Sequence, residues 1–238
     1  MHHAELEILY EDNHLLAVNK PAMLPTMGVA ADVPSLLTVA KESLRVRYDK
    51  PGNVYVGVVS RLDAPVTGVT LLAKTSKAAA RLSEAFRTRN VEKVYWAATT
   101  GDVDPPSGAL EHYLRHDDRH RRVHATNASC PDAQFARLTY RTLATGDELS
   151  LLEVTLETGR KHQIRVQLSK AGWPIVGDRK YGSDALLKTG IALHSRRLSL
   201  EHPVRHEPLT IVAPLPQAWH KRRDLAELVR AAGDRPLG

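Results

Sequence analysis

The chain has one cysteine, Cys130, in 238 residues. No intrachain disulfide can form, and a zinc site built on several thiolates is excluded. No uninterrupted apolar run reaches the roughly 18 residues that a membrane-spanning helix needs, so no membrane association is expected. The opening MHHAELEILYEDNH lacks an apolar signal core and carries acidic residues. A secretory or organelle-targeting leader is therefore not expected, and the cytoplasm is the expected location. There is no internal repeat, low-complexity tract or clear interdomain linker.

What is present suits a globular body. Hydrophobic residues make up 42% and charged residues 25% of the chain, ample for a core at this length. Lys and Arg number 33 against 27 Asp and Glu, giving a formal net charge of +6. That excess favours a polyanionic partner without requiring one.

The pattern centres on residues 55–75, YVGVVSRLDAPVTGVTLLAKT. Residues 55–59 and 69–73 read as apolar strands around a polar turn that holds Ser60, Arg61, Asp63, Pro65 and Gly68. Pro65 argues against a continuous strand, and Gly68 permits a tight return. An ordinary solvent-facing turn has the same pattern as a platform for chemistry.

Before this stretch, residues 6–10 and 15–19 predict a hairpin, and Ser35 caps a helix over 36–46. After it, Ser76 caps a helix running to about Asn90, whose Lys77, Arg81, Arg87 and Arg89 suit phosphate or plain solvent equally. Residues 94–100 form a strand that sends Tyr95 and Trp96 to opposite faces, one of them into the core. His112, His116, His120 and His124 recur every fourth residue, as zinc ligands on a helix would. The Asp117-Asp118 pair followed by Arg119, Arg121 and Arg122 instead predicts the tip of a mobile basic hairpin.

Residues 133–143 and 149–156 predict two more strands, and a short helix follows over 161–170, closed near Gly172. Strand patterns at 191–200 and 209–212 precede a terminal helix from Pro216 to about residue 232. Many strands with few helices favour α+β over a doubly wound sheet.

Three segments together resemble the RluA-type family of RNA pseudouridine synthases. The first is Val59-Ser60-Arg61-Leu62-Asp63 with Gly68 and the strand to Lys74, and the second is Glu92-Lys93-Val94-Tyr95. The third is Gly159-Arg160-Lys161-His162-Gln163-Ile164-Arg165, followed by Gly172-Trp173-Pro174-Ile175, Gly177-Asp178 and Tyr181-Gly182. The EDNHLLAVNKP opening, Leu193-His194-Ser195 and His202-Pro203 extend the likeness over residues 8–215. The chain departs from the family at Ser60, Val66, Lys161 and Gln167, where His, Thr, Thr and His are usual.

The resemblance implies the pseudouridine synthase fold: a central, mixed but mostly antiparallel sheet flanked by helices and loops, with an active-site cleft across it. It implies a single catalytic domain over 1–238, with its core at 8–215, and no accessory RNA-binding domain before it. The activity implied is isomerisation of a uridine in structured RNA, ribosomal or transfer, without metal or cofactor; a monomer is the default expectation and does not come from the resemblance. Asp63 is then the essential carboxylate, Arg165 its ionic partner, and Tyr95 the ring that stacks on the base. Arg61 assists uridine flipping, Ile164 walls the base, and Lys93, Arg160 and His162 bind substrate or organise the pocket. Two other readings are a non-catalytic RNA-binding protein that keeps the fold, and a hydrolase using Ser60. The latter lacks a Gly-x-Ser-x-Gly context.

Overall fold

A computed structural model describes residues 6–30, 32–49 and 51–233. In chain order the strands are β1 (Ile8–Glu11), β2 (Leu15–Lys20), β3 (Gly57–Val58), β4 (Thr67–Ala73), β5 (Val91–Thr100) and β6 (Ser107–Asp117). They continue with β7 (Arg122–Thr126), β8 (Gln134–Thr145), β9 (Leu149–Leu156), β10 (Leu193–Glu201) and β11 (Pro208–Val212). The helices are α1 (Leu36–Arg47), α2 (Ser76–Arg87), α3 (Gln163–Lys170), α4 (Gln217–Lys221) and α5 (Arg223–Ala231), with a 3-10 turn at Arg179–Tyr181. The architecture is α+β, antiparallel sheet flanked by helices. It falls into two compact units, one of Met1–Glu92 with Ser195–Pro214 and one of Lys93–His194 with Leu215–Gly238.

In the first unit the strand order is β1-β2-β4-β10, with β3 also on β4 and β11 on β10. Strands β2 and β4 pair antiparallel from Leu15↔Ala73 to Lys20↔Gly68. Leu15, Ala17, Val69 and Leu71 pack with Ala78 and Leu82 of α2. Leu16, Val18 and Leu72 pack with Leu36, Ala40 and Leu44 of α1. Helices on both faces explain why these two strands read as unbroken apolar runs rather than as alternation.

Helix α1 begins as predicted. Ser35 and Thr38 form a reciprocal capping box. In α2 the cap is Thr75, one residue earlier than expected, with its side chain accepting from the Ala78 amide at 3.2 Å. The strand predicted over 55–59 shrinks to Gly57–Val58. Val54 and Val56 drop into the α1 core instead, and Gly57 passes so close to α2 that a Cβ there would meet Ala79 Cβ at 2.9 Å.

Gly68 has a role beyond the turn predicted for it. It lies within β4 at φ +109°, and a Cβ there would stand 2.3 Å from the Ser195 carbonyl oxygen. Only glycine lets the β10 backbone approach this closely. At the far end of β2, Asp12 accepts from His14 N and Leu15 N at 2.7 Å each. The His202 ring contacts Asp12 at 2.8 Å and accepts from Arg205 N at 2.9 Å. The Glu-Asp-Asn-His and His-Pro signatures, 190 residues apart, are thus two halves of one structural tie.

In the second unit the strand order is β5-β9-β8-β6-β7. The inner face of β6–β7 packs Leu114 and Val123 on Val166 of α3 and on Tyr181. The basic hairpin predicted at 110–126 is present, tied to its unit along α3. The single terminal helix predicted over 216–232 is two helices broken at Arg222, which is extended at φ −96°, ψ 115°. Trp219 and Leu225 are both buried but six residues apart, a spacing that one helical stripe cannot bring to one face. The break at Arg222 rephases the chain, and its guanidinium is held by Asp224 at 2.8 Å.

Candidate active site

The Asp63 loop is built from its backbone outward. The Val66 amide donates to Asp63 O at 3.0 Å, which closes a tight turn. Thr26 Oγ1 donates to Leu62 O at 2.8 Å and accepts from Leu62 N at 3.1 Å. The Met23 amide donates to Ala64 O at 2.7 Å. Behind these bonds lies Lys20, which is 0% exposed. Its Nζ donates to Pro21 O, Leu24 O and Ala64 O at 2.9, 2.8 and 3.1 Å. All three ammonium donors are therefore used on backbone carbonyls, two before the loop and one within it. Burial pushes the Lys20 pKa down to about 7, against the pull of the Asp63 charge, which favours the ammonium. Asp63 is half-buried and Arg61 exposed, so the motif presents a guanidinium and a carboxylate on a loop pinned at Leu62 and Ala64.

In the second unit Arg165 is built in the opposite way, from side chains. It is 5% exposed, and its Nε and Nη2 donate to the two carboxylate oxygens of Asp178 at 2.6 and 2.8 Å. This is a buried, bidentate ion pair. The guanidinium also lies 4.9 Å from the centre of the Tyr181 ring. Tyr181 OH accepts from the Val123 amide at 3.0 Å and meets His162 Nδ1 at 2.7 Å. Burial raises the Tyr181 pKa, so the phenol stays neutral.

The turn before α3 is fastened by Gln163. Its Oε1 accepts from Thr158 Oγ1 at 2.8 Å and from Arg160 N at 3.0 Å, while its Nε2 donates to Arg137 O at 3.1 Å. His162 takes the left-handed conformation at φ 54° that starts the helix. Ile164 is buried. Arg160 is exposed, with its Nε donating to Phe135 O at 3.1 Å, and Lys161 Nζ meets His116 Nε2 at 2.7 Å. Tyr95 is half-buried on β5 opposite Val154, and its neighbour Trp96 is the one buried in the core. Lys93 directs its Nζ toward Gly159, where a Cβ would be 3.7 Å away.

The structure therefore gathers Tyr95, Lys93, Arg160, His162, Ile164 and Arg165 in the second unit, and Asp63 with Arg61 in the first. Lys20, Gln163, Asp178 and Tyr181 stand in the motif segments, but no periodicity in the sequence marks the contacts that they make. The histidines at 112–124 lie on a hairpin, not a helix. His120 is bonded to Asp117 at 2.7 Å, and His116 to Asp118 at 2.9 Å.

Residues 14–170 match the family described as RNA pseudouridylate synthase, and the chain belongs to that family. It is 32% identical over 227 residues to the uncharacterized RNA pseudouridine synthase YhcT of Bacillus subtilis, covering 90% of this chain and 70% of that one. It is 34% identical over 236 residues to ribosomal large subunit pseudouridine synthase D of Pseudomonas aeruginosa, covering 90% and 69%. Among solved structures, human RNA pseudouridylate synthase domain containing 4 superposes with a TM-score of 0.75 at 28% identity, covering 97% of this chain and 94% of that one.

Proposed function

We propose that this protein converts a specific uridine of ribosomal or transfer RNA to pseudouridine, with Asp63 as the essential carboxylate. The chemistry is an isomerisation. The C1′–N1 bond breaks, the uracil turns while held, C1′ bonds to C5, and the C5 proton is lost while N1 gains one. No electron leaves the substrate, so no redox partner is required. Asp63 acts either by attacking C1′ or by taking the C2′ proton, and both routes need an ionised carboxylate held in a fixed direction. The observation that carries this reading is the clamp on the Asp63 loop, three Lys20 bonds and the Thr26 pair, which is the stiffness such a carboxylate needs.

Tyr95, half-buried beside the core residue Trp96, supplies a ring on which the base turns. Arg165 supplies positive charge to the ionised Asp63 during reaction, and Ile164 an apolar wall. Arg61, exposed on its loop, takes the place of stacking lost when the uridine leaves the helix. Lys93, Arg160 and His162 complete the substrate contacts. The same reading makes the protein a single catalytic domain, monomeric and cytoplasmic, which sedimentation and cell fractionation test.

The deciding experiment follows tritium release from RNA labelled at uridine C5, using unmodified ribosomal and transfer RNA. Asp63→Asn should lower the rate by at least about 1,000-fold and leave RNA affinity within threefold of wild type. Activity within tenfold of wild type would end the assignment. Loss of activity in Ser60→Ala would revive the hydrolase reading.

A further inference from the structure

The sheet of the second unit has a face that the core does not use and that meets the proposed substrate contacts only at its edge, at Arg160. On β6, Leu114 points inward, while Glu111, Tyr113 and Arg115 point out. On β8, Ala136 and Leu138 are buried, while Phe135 and Arg137 are on the outer side. Tyr113 and Phe135 are direct cross-strand partners. Their rings meet edge to face at 5.6 Å, and they remain 36% and 37% exposed. Two adjoining aromatic rings on the solvent side of an antiparallel sheet are unusual, because that side is normally polar.

Charges of both signs surround the rings, and two of the guanidiniums have no carboxylate partner among the described residues. Arg115 lies two residues from Tyr113 on the same face, opposite the exposed His124 of β7. Its one described side-chain contact is Cys130 Sγ at 3.8 Å, and among the described residues it joins no ion pair. Arg160 reaches the same edge through Phe135 O at 3.1 Å, and it too is in no ion pair among the described residues. Of the carboxylates on this face, Glu111 and Glu157 are both taken by Arg137, and Glu153 by Arg141 at 2.8 Å. Asp117 is engaged by His120 at 2.7 Å, with His124 at 4.0 Å.

We infer that the outer face of β6–β8 is a second RNA-contact surface, on which a single-stranded segment stacks its bases on Tyr113 and Phe135 and sets phosphates on Arg115 and Arg160. Rings accept any base through its π face, and the flanking guanidiniums meet the backbone that joins the bases. A protein partner would use the aromatics but would not call for two cations without a carboxylate partner. The surface rests on the proposed function only in that the substrate is RNA. It adds affinity for the strand flanking the target, away from the reacting uridine.

The probe is a fluorescein-labelled twelve-nucleotide oligoadenylate, titrated with the full chain and followed by anisotropy. Tyr113→Leu with Phe135→Leu keeps the apolar surface but removes both π faces, and should raise Kd at least tenfold. Tyr113→Phe with Phe135→Tyr keeps the rings and should bind within twofold of wild type. Leucine variants that also bind within twofold, or ring-retaining variants that lose as much as the leucine pair, would overturn the inference. Should the double leucine variant not fold, each single variant is read against a threefold loss. Arg115→Gln should lower the slope of log affinity against log salt by about 0.7, the value of one single-strand phosphate contact; an unchanged slope removes Arg115 from the surface. Asp63→Asn should bind the oligonucleotide as wild type does. A chain that binds through the rings but isomerises no uridine refutes the proposed function alone, and an active isomerase indifferent to the rings refutes this surface alone.

Discussion

The Asp63 loop and the Arg165 helix hold opposite charges by opposite means. In the first unit a buried cation, Lys20, and a hydroxyl, Thr26, grip backbone carbonyls and an amide around Asp63. In the second unit a buried carboxylate, Asp178, and a ring, Tyr181, grip the Arg165 side chain itself. A backbone clamp sets where a short side chain starts and leaves its end to the chemistry. A long guanidinium has several rotatable bonds to fix, so it needs partners at its tip.

If that contrast is correct, the side-chain clamp is the more costly one to cut. Asp178→Ala removes the bidentate partner of a guanidinium that is 5% exposed, and should cost about 3 kcal/mol in urea unfolding. Asp178→Asn, which keeps one acceptor, should cost less. A loss below about 1 kcal/mol for the alanine variant would mean that the pair behaves like a surface bridge, and the contrast would collapse.

The backbone clamp should fail more gently and with a pH signature. Lys20→Met leaves the Pro21, Leu24 and Ala64 carbonyls without their donor but also removes a charge from the interior. A net loss of about 2 kcal/mol at pH 6 is expected, with kcat falling more than KM rises because the loop, not RNA affinity, is loosened. Burial holds the folded Lys20 pKa at about 7, against 10.5 ordinarily. Between those values the unfolded chain keeps a proton that the folded chain has released, so wild-type stability gains from this group as pH rises. Below about 7 the burial penalty is present in full. The variant should lack that rise, so the gap between the two stability curves should widen from pH 7 toward pH 10. Parallel curves would show that Lys20 titrates alike in both states.

Much of this was readable in the sequence, for reasons that can be named. The family was readable because the motifs around Asp63, Tyr95 and Arg165 are dense, and β2 and β4 because burial on both faces leaves an unbroken apolar run. The Lys20 clamp was not readable, because its acceptors are backbone carbonyls, which every residue has. The Arg165–Asp178 pair spans 13 residues through an irregular loop, where no periodicity signals proximity. The hairpin was readable from the Asp-Asp and Arg-rich tip, but the alternation Glu-His-Tyr-Leu-Arg does not say which strand lies beside β6, so the Tyr113–Phe135 pair was not. The split of the terminal helix was visible only as a phase error between Trp219 and Leu225.

The smallest effect divides the Arg165 clamp into its ionic and aromatic parts. Tyr181→Phe keeps the ring near Arg165 and removes only the hydroxyl. The Val123 amide then loses its acceptor at 3.0 Å, and His162 loses its contact at 2.7 Å. An orphaned buried amide costs about 1–2 kcal/mol, less where water reaches it. A loss near 1.5 kcal/mol is therefore expected, seen as a shift of the urea midpoint without a change of slope. It should be accompanied by faster hydrogen exchange at Val123 than at other buried amides of the hairpin. Activity should fall less than in Asp178→Ala, because the Arg165 carboxylate partner is intact. A Tyr181→Phe variant as inactive as Asp178→Ala, yet fully stable, would move the phenol from anchoring the hairpin to the chemistry, and the guanidinium would then be held for Tyr181 as much as by it.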